Sequence, residues 1–474
     1  MPVNILPLRS SASLLLALLM MMIAAASCDT SDDFSDDPSL RLRFSADTLR
    51  MDTVLTDPPT PTYTLKVYNP HPRKLLLSSV SLADGEKSGF RINLDGIPGT
   101  RFTDVELAAE DSLYLFVEGT FPAHGDDLVT LVRDSVVFEL NGIRQEMKLW
   151  AYTQDAVVLR RHVLARDTLI ASARPLLIYD SLVIAAGTNV TLAAGTRLFF
   201  HDKATLEVHG RLLAEGTIDH PVLFRGDRTD RIFPYLPYDR LPGQWGGIRF
   251  HIESLENRLT CVDVHGGQFG IRCDSTGTAQ RKLTLQNSLI RQIAGTALEL
   301  TACQALITNS EISNAGTHCV ALWGGDYTFV HCSLANFFSW DIRKGVTLLL
   351  GNRLEAAIFR NCLIEGSGTD EISVSRDQDA DAPFNYYFSH CLINSIAEEN
   401  DHIVGVVWKR DDAFRLLDVR TQQYDFTPTE GSAAIDLGRP EDALAYPLDR
   451  RGNSRLADTA PDAGCYEAEK KRTD

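Results

Sequence analysis

The chain is short of positive charge. It carries 46 Lys and Arg against 63 Asp and Glu in 474 residues, a formal net charge of −17. Phosphate backbones repel such a surface, which excludes a nucleic-acid partner. Long apolar runs are lacking too. The one present, Leu14 to Ala26, lies at the extreme N-terminus, and this excludes a polytopic membrane protein. Paired CxxC and HxxxH spacings are missing, so the nine cysteines do not read as a zinc site. From Leu182 onward no helical stretch separates the short β-prone runs, which are bounded by glycine. What remains is an all-β chain of ordinary globular composition, long enough for two to four domains at roughly 100–200 residues each.

The N-terminus reads as an address. In residues 1–27, Arg9 precedes the apolar run, which is short and ends in small residues, as a secretory signal does. The block Ala25-Ala26-Ser27-Cys28 resembles a bacterial lipobox. The resemblance implies cleavage before Cys28, acylation of that residue, and attachment to the membrane through the N-terminal lipid. Residues 28–39 then form an acidic tether, with aspartate at 29, 32, 33, 36 and 37. It is too polar to bury a core and is expected to stay extended and hydrated. This run resembles the acidic export signal of surface lipoproteins of anaerobic Gram-negative gut bacteria. An outer-membrane lipoprotein displayed on the cell surface is implied, with a periplasm-facing position as the alternative.

Residues 40–153 alternate with period two. Runs such as Thr62–Tyr68, Ser112–Phe121 and Leu128–Leu140 are separated by Asp84-Gly85, Pro98-Gly99 and Asn141-Gly142. The Asn-Gly pair is a strong two-residue hairpin signal, because both positions tolerate φ > 0. Seven or eight short strands in this span predict a β-sandwich. It resembles an Ig-like domain in pattern, without a Cys–Trp–Cys signature.

Beyond it a four-residue unit recurs, small or polar first and apolar last. It appears as Cys261-Val262-Asp263-Val264, Asn287-Ser288-Leu289-Ile290, Asn309-Ser310-Glu311-Ile312, His331-Cys332-Ser333-Leu334, Asn361-Cys362-Leu363-Ile364 and His390-Cys391-Leu392-Ile393. Each interval is one coil of a solenoid, and the last residues should stack in one interior column. Cys332, Cys362 and Cys391 would share a second column with Ser288 and Ser310, as a ladder of small side chains. Disulfides among Cys261, Cys273, Cys303, Cys319, Cys332, Cys362, Cys391 and Cys465 stay open. His331 and His390 stand in the Asn column, where a turn hydrogen bond is expected. The order of these segments resembles right-handed parallel β-helix proteins of the pectate-lyase-like superfamily, assigned here to 154–430. Residues 431–474, with Ala433-Ala434-Ile435-Asp436 and Asp449-Arg450-Arg451-Gly452, resemble the closing segment of choice-of-anchor Q proteins. They are expected to cap the last coil through a network of Asp436, Asp449, Arg455 and Asp462.

Two function classes follow. The first is a non-catalytic envelope protein that contacts a polysaccharide or host glycan through exposed loop aromatics. Trp245, Tyr235 and Tyr238 lie in or beside the insertion Asp227–Gly243, and Trp340 lies in an over-long coil. The second is a polysaccharide lyase or glycoside hydrolase. Asp341, Arg343 and Lys344 place acid and base together, and Asp377, Asp379 and Asp381 resemble the start of a Ca²⁺ loop. That loop departs from the EF-hand pattern, with Ala382 where glycine should stand. No other cofactor is expected.

Overall fold

The computed structural model describes residues 33–379, 381–398, 400–409, 411–457 and 459–469. The signal segment, Cys28 and Ala380 lie outside them. Among the described residues no helix is long and apolar enough to cross a membrane. The chain is all-β and divides into two compact units, one running to Ala123 and resuming over Thr130–Thr153, the other holding the rest.

The first unit has two five-stranded sheets. Alternation puts one face of each sheet into a shared core that includes Met51, Val67, Leu77, Val117, Phe138 and Leu149. Asn141 and Gly142 both take positive φ, 49° and 76°, and join Thr130–Leu140 to Ile143–Gln154 with Leu140 opposite Ile143. The acidic tether is shorter than expected. Ser35 is buried and its N–H bonds the Lys74 carbonyl at 2.9 Å. Asn141 Nδ2 donates to the Ser35 and Asp37 carbonyls. A serine among aspartates satisfies backbone groups well enough to dock, in spite of the local charge.

The second unit is built from long parallel sheets, one of eighteen strands and one of ten, compatible with a β-helix. The expected interior column is present. Val264, Ile290, Ile312, Leu334, Ile364 and Ile393 stand in direct parallel register, all fully buried. Each such side chain contributes roughly 1.5–3 kcal/mol by leaving water. The first residue of every repeat unit, Cys261, Asn287, Asn309, His331, Asn361 and His390, has φ between 48° and 52°. The left-handed corner costs an L-residue about 1–2 kcal/mol, and asparagine tolerates it best. The second column is a hydrogen-bonded ladder. Val262 N–H donates to Ser288 Oγ at 3.1 Å, Ser288 N–H to Ser310 Oγ at 3.1 Å, and Cys362 N–H to Cys391 Sγ at 3.4 Å. The eight cysteines within the described residues are buried free thiols.

The C-terminal segment corrects the expectation of an end cap. It lies along the outward face of the coils. Phe426, Cys465 and Tyr466 pack on Ala335, and Ala434 and Ala463 pack on Leu363 and Leu392. The asparagine corners serve as its anchor points. Asn309 Nδ2 donates to Leu448 O at 2.9 Å, and Asn361 exchanges hydrogen bonds with the Arg439 backbone at 2.8 and 3.1 Å. The four expected residues are joined through Glu467: Arg455 Nη1 and the Asp462 N–H donate to its carboxylate, its own N–H donates to Asp449 Oδ2, and the Asp436 N–H donates to Asp462 Oδ1. Asp449 and Asp462 accept from backbone N–H groups nearby. Fully buried Arg455 pairs with Glu467 at 2.5 Å.

Candidate functional site

The outward side chains of the repeat differ along the array. Next to the interior column stand Asp263, Leu289, Glu311, Ser333 and Leu363 on one side, and His265, Arg291, Ser313, Ala335 and Glu365 on the other. Apart from Glu365 the later coils turn small and apolar residues outward, and the C-terminal segment covers them. The earlier coils turn charge outward, and there the cover leaves a cleft of about 350 Å³. Its floor is Arg291 and Gln292 on Leu289–Ile293, with Glu311, Ser313 and Asn314 on Glu311–Ala315. Arg240, from the insertion, stands at one end, and the hairpin Phe414–Asp418/Gln423–Pro428 forms the side wall through Leu416, Gln422, Tyr424 and Asp425.

The floor rests on a buried ion cluster. Asp263 accepts from His265 Nδ1 at 2.8 Å and from Arg291 Nη2 at 3.0 Å. Burial pushes the Asp263 carboxyl up, but Arg291 and His265 outweigh it and hold it far below the usual range. Burial also holds His265 below its ordinary value, against the pull of Asp263. Polar atoms here outnumber their partners. Gln292 Oε1, Arg291 Nε, His265 Nε2, Gln244 Oε1 and Asp239 Oδ1 are buried with no hydrogen-bond partner among the described residues. Most buried polar groups are satisfied, and these five lie at the floor and the adjoining insertion. Arg240 donates to the Thr421 carbonyl at 2.6 Å and has no carboxylate in ion-pair contact among the described residues.

The carboxylates of the cleft are engaged. Glu311 accepts from Ser313 Oγ at 2.7 Å and from Tyr466 OH at 2.6 Å. Asp425 accepts from Thr427 Oγ1 at 2.6 Å and from Arg451 Nη2 at 2.9 Å. Burial pushes Asp425 up, but Thr427 and Arg451 hold it below the usual carboxylate range.

The residues singled out in the sequence fall in several places. Trp245 is a correction: it is 1% exposed, stacked on Phe200 at 4.3 Å, with Nε1 donating to His265 O at 2.8 Å. The residue before a paired glycine, at the return from the insertion, turns inward to fill the coil. Tyr235 is exposed and lies nearly parallel to Phe233, with centroids 5.6 Å apart, and Arg420 of the hairpin tip sits over its ring at 5.2 Å. The Tyr238 ring is covered by Arg228 at 3.9 Å. Trp340 is half-buried beside Ser339, whose Oγ accepts from Gln422 Nε2 at 2.9 Å. The insertion and the over-long coil therefore both reach the cleft's hairpin.

Asp341, Arg343 and Lys344 are not brought together as acid and base. Arg343 is committed to buried Glu371 by bonds of 2.9 and 2.7 Å, while Asp341 and Lys344 point to solvent. Asp377 and Asp379 accept backbone N–H groups two residues on, those of Asp379 and Asp381, in successive turns. Arg353 bonds Asp377 at 2.7 Å, so a guanidinium stands beside the proposed Ca²⁺ loop. Among the described residues no group of three or more His, Cys, Asp or Glu side chains is arranged to hold a metal ion.

No known family profile matches the chain, and no curated protein matches it. Among solved structures it is similar to a family 123 glycoside hydrolase from Clostridium perfringens, described for glycolipid glycan hydrolysis, at 5% identity and a TM-score of 0.18. The likeness covers 26% of this chain and 31% of that one. The chain thus spans under a third of that enzyme, and so slight a likeness says nothing about the site.

Proposed function

We propose that this is a lipid-anchored cell-envelope protein, an Ig-like sandwich followed by a right-handed parallel β-helix, that holds a glycan without cleaving it. Gln292 carries the reading. Its side chain is 2% exposed, lines the cleft, and holds an Oε1 that is buried without a partner. Sugar hydroxyls are the ligand groups that both donate and accept, and they suit a lining of amides, a hydroxyl and guanidinium groups. The exposed Phe233–Tyr235 pair nearby offers an apolar face for a sugar ring.

Two features support binding over cleavage. A general acid needs a carboxyl whose pKa is raised toward neutrality, and Asp425 moves the other way. Glu311 spends both oxygens on protein hydroxyls. Glycan arrays followed by calorimetry on the hits test the reading, run beside a screen for new reducing ends and unsaturated uronates with and without Ca²⁺. Binding without products is expected, with affinity about tenfold weaker in Gln292→Ala, the worth of one hydrogen bond. Products from any defined glycan, or unchanged binding in both Gln292→Ala and Tyr235→Ala, would overturn it. Surface display is tested by protease added to intact cells, where full protection would refute it.

A further inference from the structure

The cleft is closed at both ends along the stacking direction. At one end the insertion meets the hairpin tip, where Arg240 Nη1 bonds Thr421 O at 2.6 Å and Arg420 lies over Tyr235. At the other end, the next coil along carries the C-terminal segment. There Tyr466 packs on Ala335 and bonds Glu311 at 2.6 Å, and Arg451 ties Asp425 to the same segment at 2.9 Å. The hairpin forms the side wall and is itself fixed, by Gln422 Nε2 on Ser339 Oγ at 2.9 Å and Tyr424 OH on Phe337 O at 3.4 Å. A polymer lying along the sheet would have to pass through both closures. The space between them, about 350 Å³, is at the small end of the ~300–1,000 Å³ usual for small-ligand sites.

We infer that the cleft recognises the end of a glycan chain, one or two terminal rings, and not an internal stretch of polymer. This rests on the glycan reading above. Gln292 lies among the residues lining the closed region, at its buried floor. The two closures also give the site its preference, since an added sugar beyond the terminal ring would meet the Arg240–Thr421 tie or the Tyr466 wall.

The test is an array on which each disaccharide unit is presented both terminally and internally, followed by calorimetry on the full chain with oligosaccharides of rising length. Terminal presentation is expected to bind at least tenfold tighter. Affinity should stop rising at the disaccharide, changing less than twofold with longer chains. Exoglycosidase removal of the terminal sugar should abolish binding. In Arg240→Gln, which removes one closure, the internal-to-terminal ratio should rise at least threefold. Affinity that climbs with length past the trisaccharide, or equal binding of internal units, would overturn the inference and leave the glycan reading standing. Absence of binding to every glycan would overturn that reading instead.

Discussion

Replacing Arg455 by alanine should release the C-terminal segment. The guanidinium is fully buried. Nη1 donates to Glu467 Oε1 at 2.5 Å, and Nη2 to Asn309 Oδ1 at 3.1 Å and Gly464 O at 3.0 Å. In Arg455→Ala the Asn309 carbonyl loses its donor, and the Glu467 carboxylate loses its cation and keeps only the Asp462 N–H, in a buried site. Breaking one side of a buried pair costs about 3–5 kcal/mol. A chain of two units and many coils is not a two-state system, so the loss should be read locally. The amides of Gly464 and Cys465, bonded to Asn361 O at 2.8 Å and Ser333 Oγ at 3.0 Å, report docking by hydrogen exchange. At about 1.4 kcal/mol per tenfold, their protection should fall by a factor of about a hundred or more. Ladder amides such as that of Leu334 should keep theirs. Arg455→Met with Glu467→Leu should restore most of the protection, because apolar replacement of a buried pair is near neutral. A fall of less than about fivefold in Arg455→Ala, near 1 kcal/mol, would refute the claim that this pair pins the segment.

Two further outcomes are expected. Glu365 accepts from Asn394 Nδ2 at 2.8 Å through Oε1, while Oε2 is buried without a partner, and burial pushes its pKa from 4.5 up to about 7. The folded state therefore keeps a proton that the unfolded chain loses. Stability from this group is present below pH ~4.5 and is lost as pH rises through about 7, on the order of 3 kcal/mol. Glu365→Gln should flatten that part of the urea-midpoint profile, and superimposable profiles would rule the account out. Cys362→Ser should cost no more than about 1 kcal/mol, since serine already fills this column at Ser288 and Ser310. Cys362→Leu should cost about 1–3 kcal/mol by overpacking. Hydrogen-exchange protection of the neighbouring ladder amides separates them, and equal losses would discredit the ladder.

The array was legible because its chemistry repeats. A left-handed corner, a small side chain and an inward aliphatic recur together, and each is dictated locally. The cleft was not legible from aromatic content, and Trp245 shows why. A large ring beside a proline-rich insertion reads as a loop residue, yet the tight return through Gly246 and Gly247 leaves it facing the coil interior. The informative signal lay one residue beyond the repeat unit. His265, Arg291 and Ser313 face outward there, and Ala335 takes the same position in the next coil. Apolar outward residues at Ala335, Leu363 and Leu392 require a cover, and the end of that cover is where a cleft forms. Which segment supplies the cover depends on contacts more than 100 residues apart in the chain, such as Asn309 with Leu448, and no local pattern encodes those.

The six corners of like handedness also decide where the fold can change. After each excursion the chain returns to the same bend and the same inward neighbour, whether 22 residues or 30 have passed since the last. Length is free between bends and fixed at them. Material grafted between two corners would leave the register of the stack untouched, so new loops, and with them new ligand preferences, can be exchanged without rebuilding what carries them.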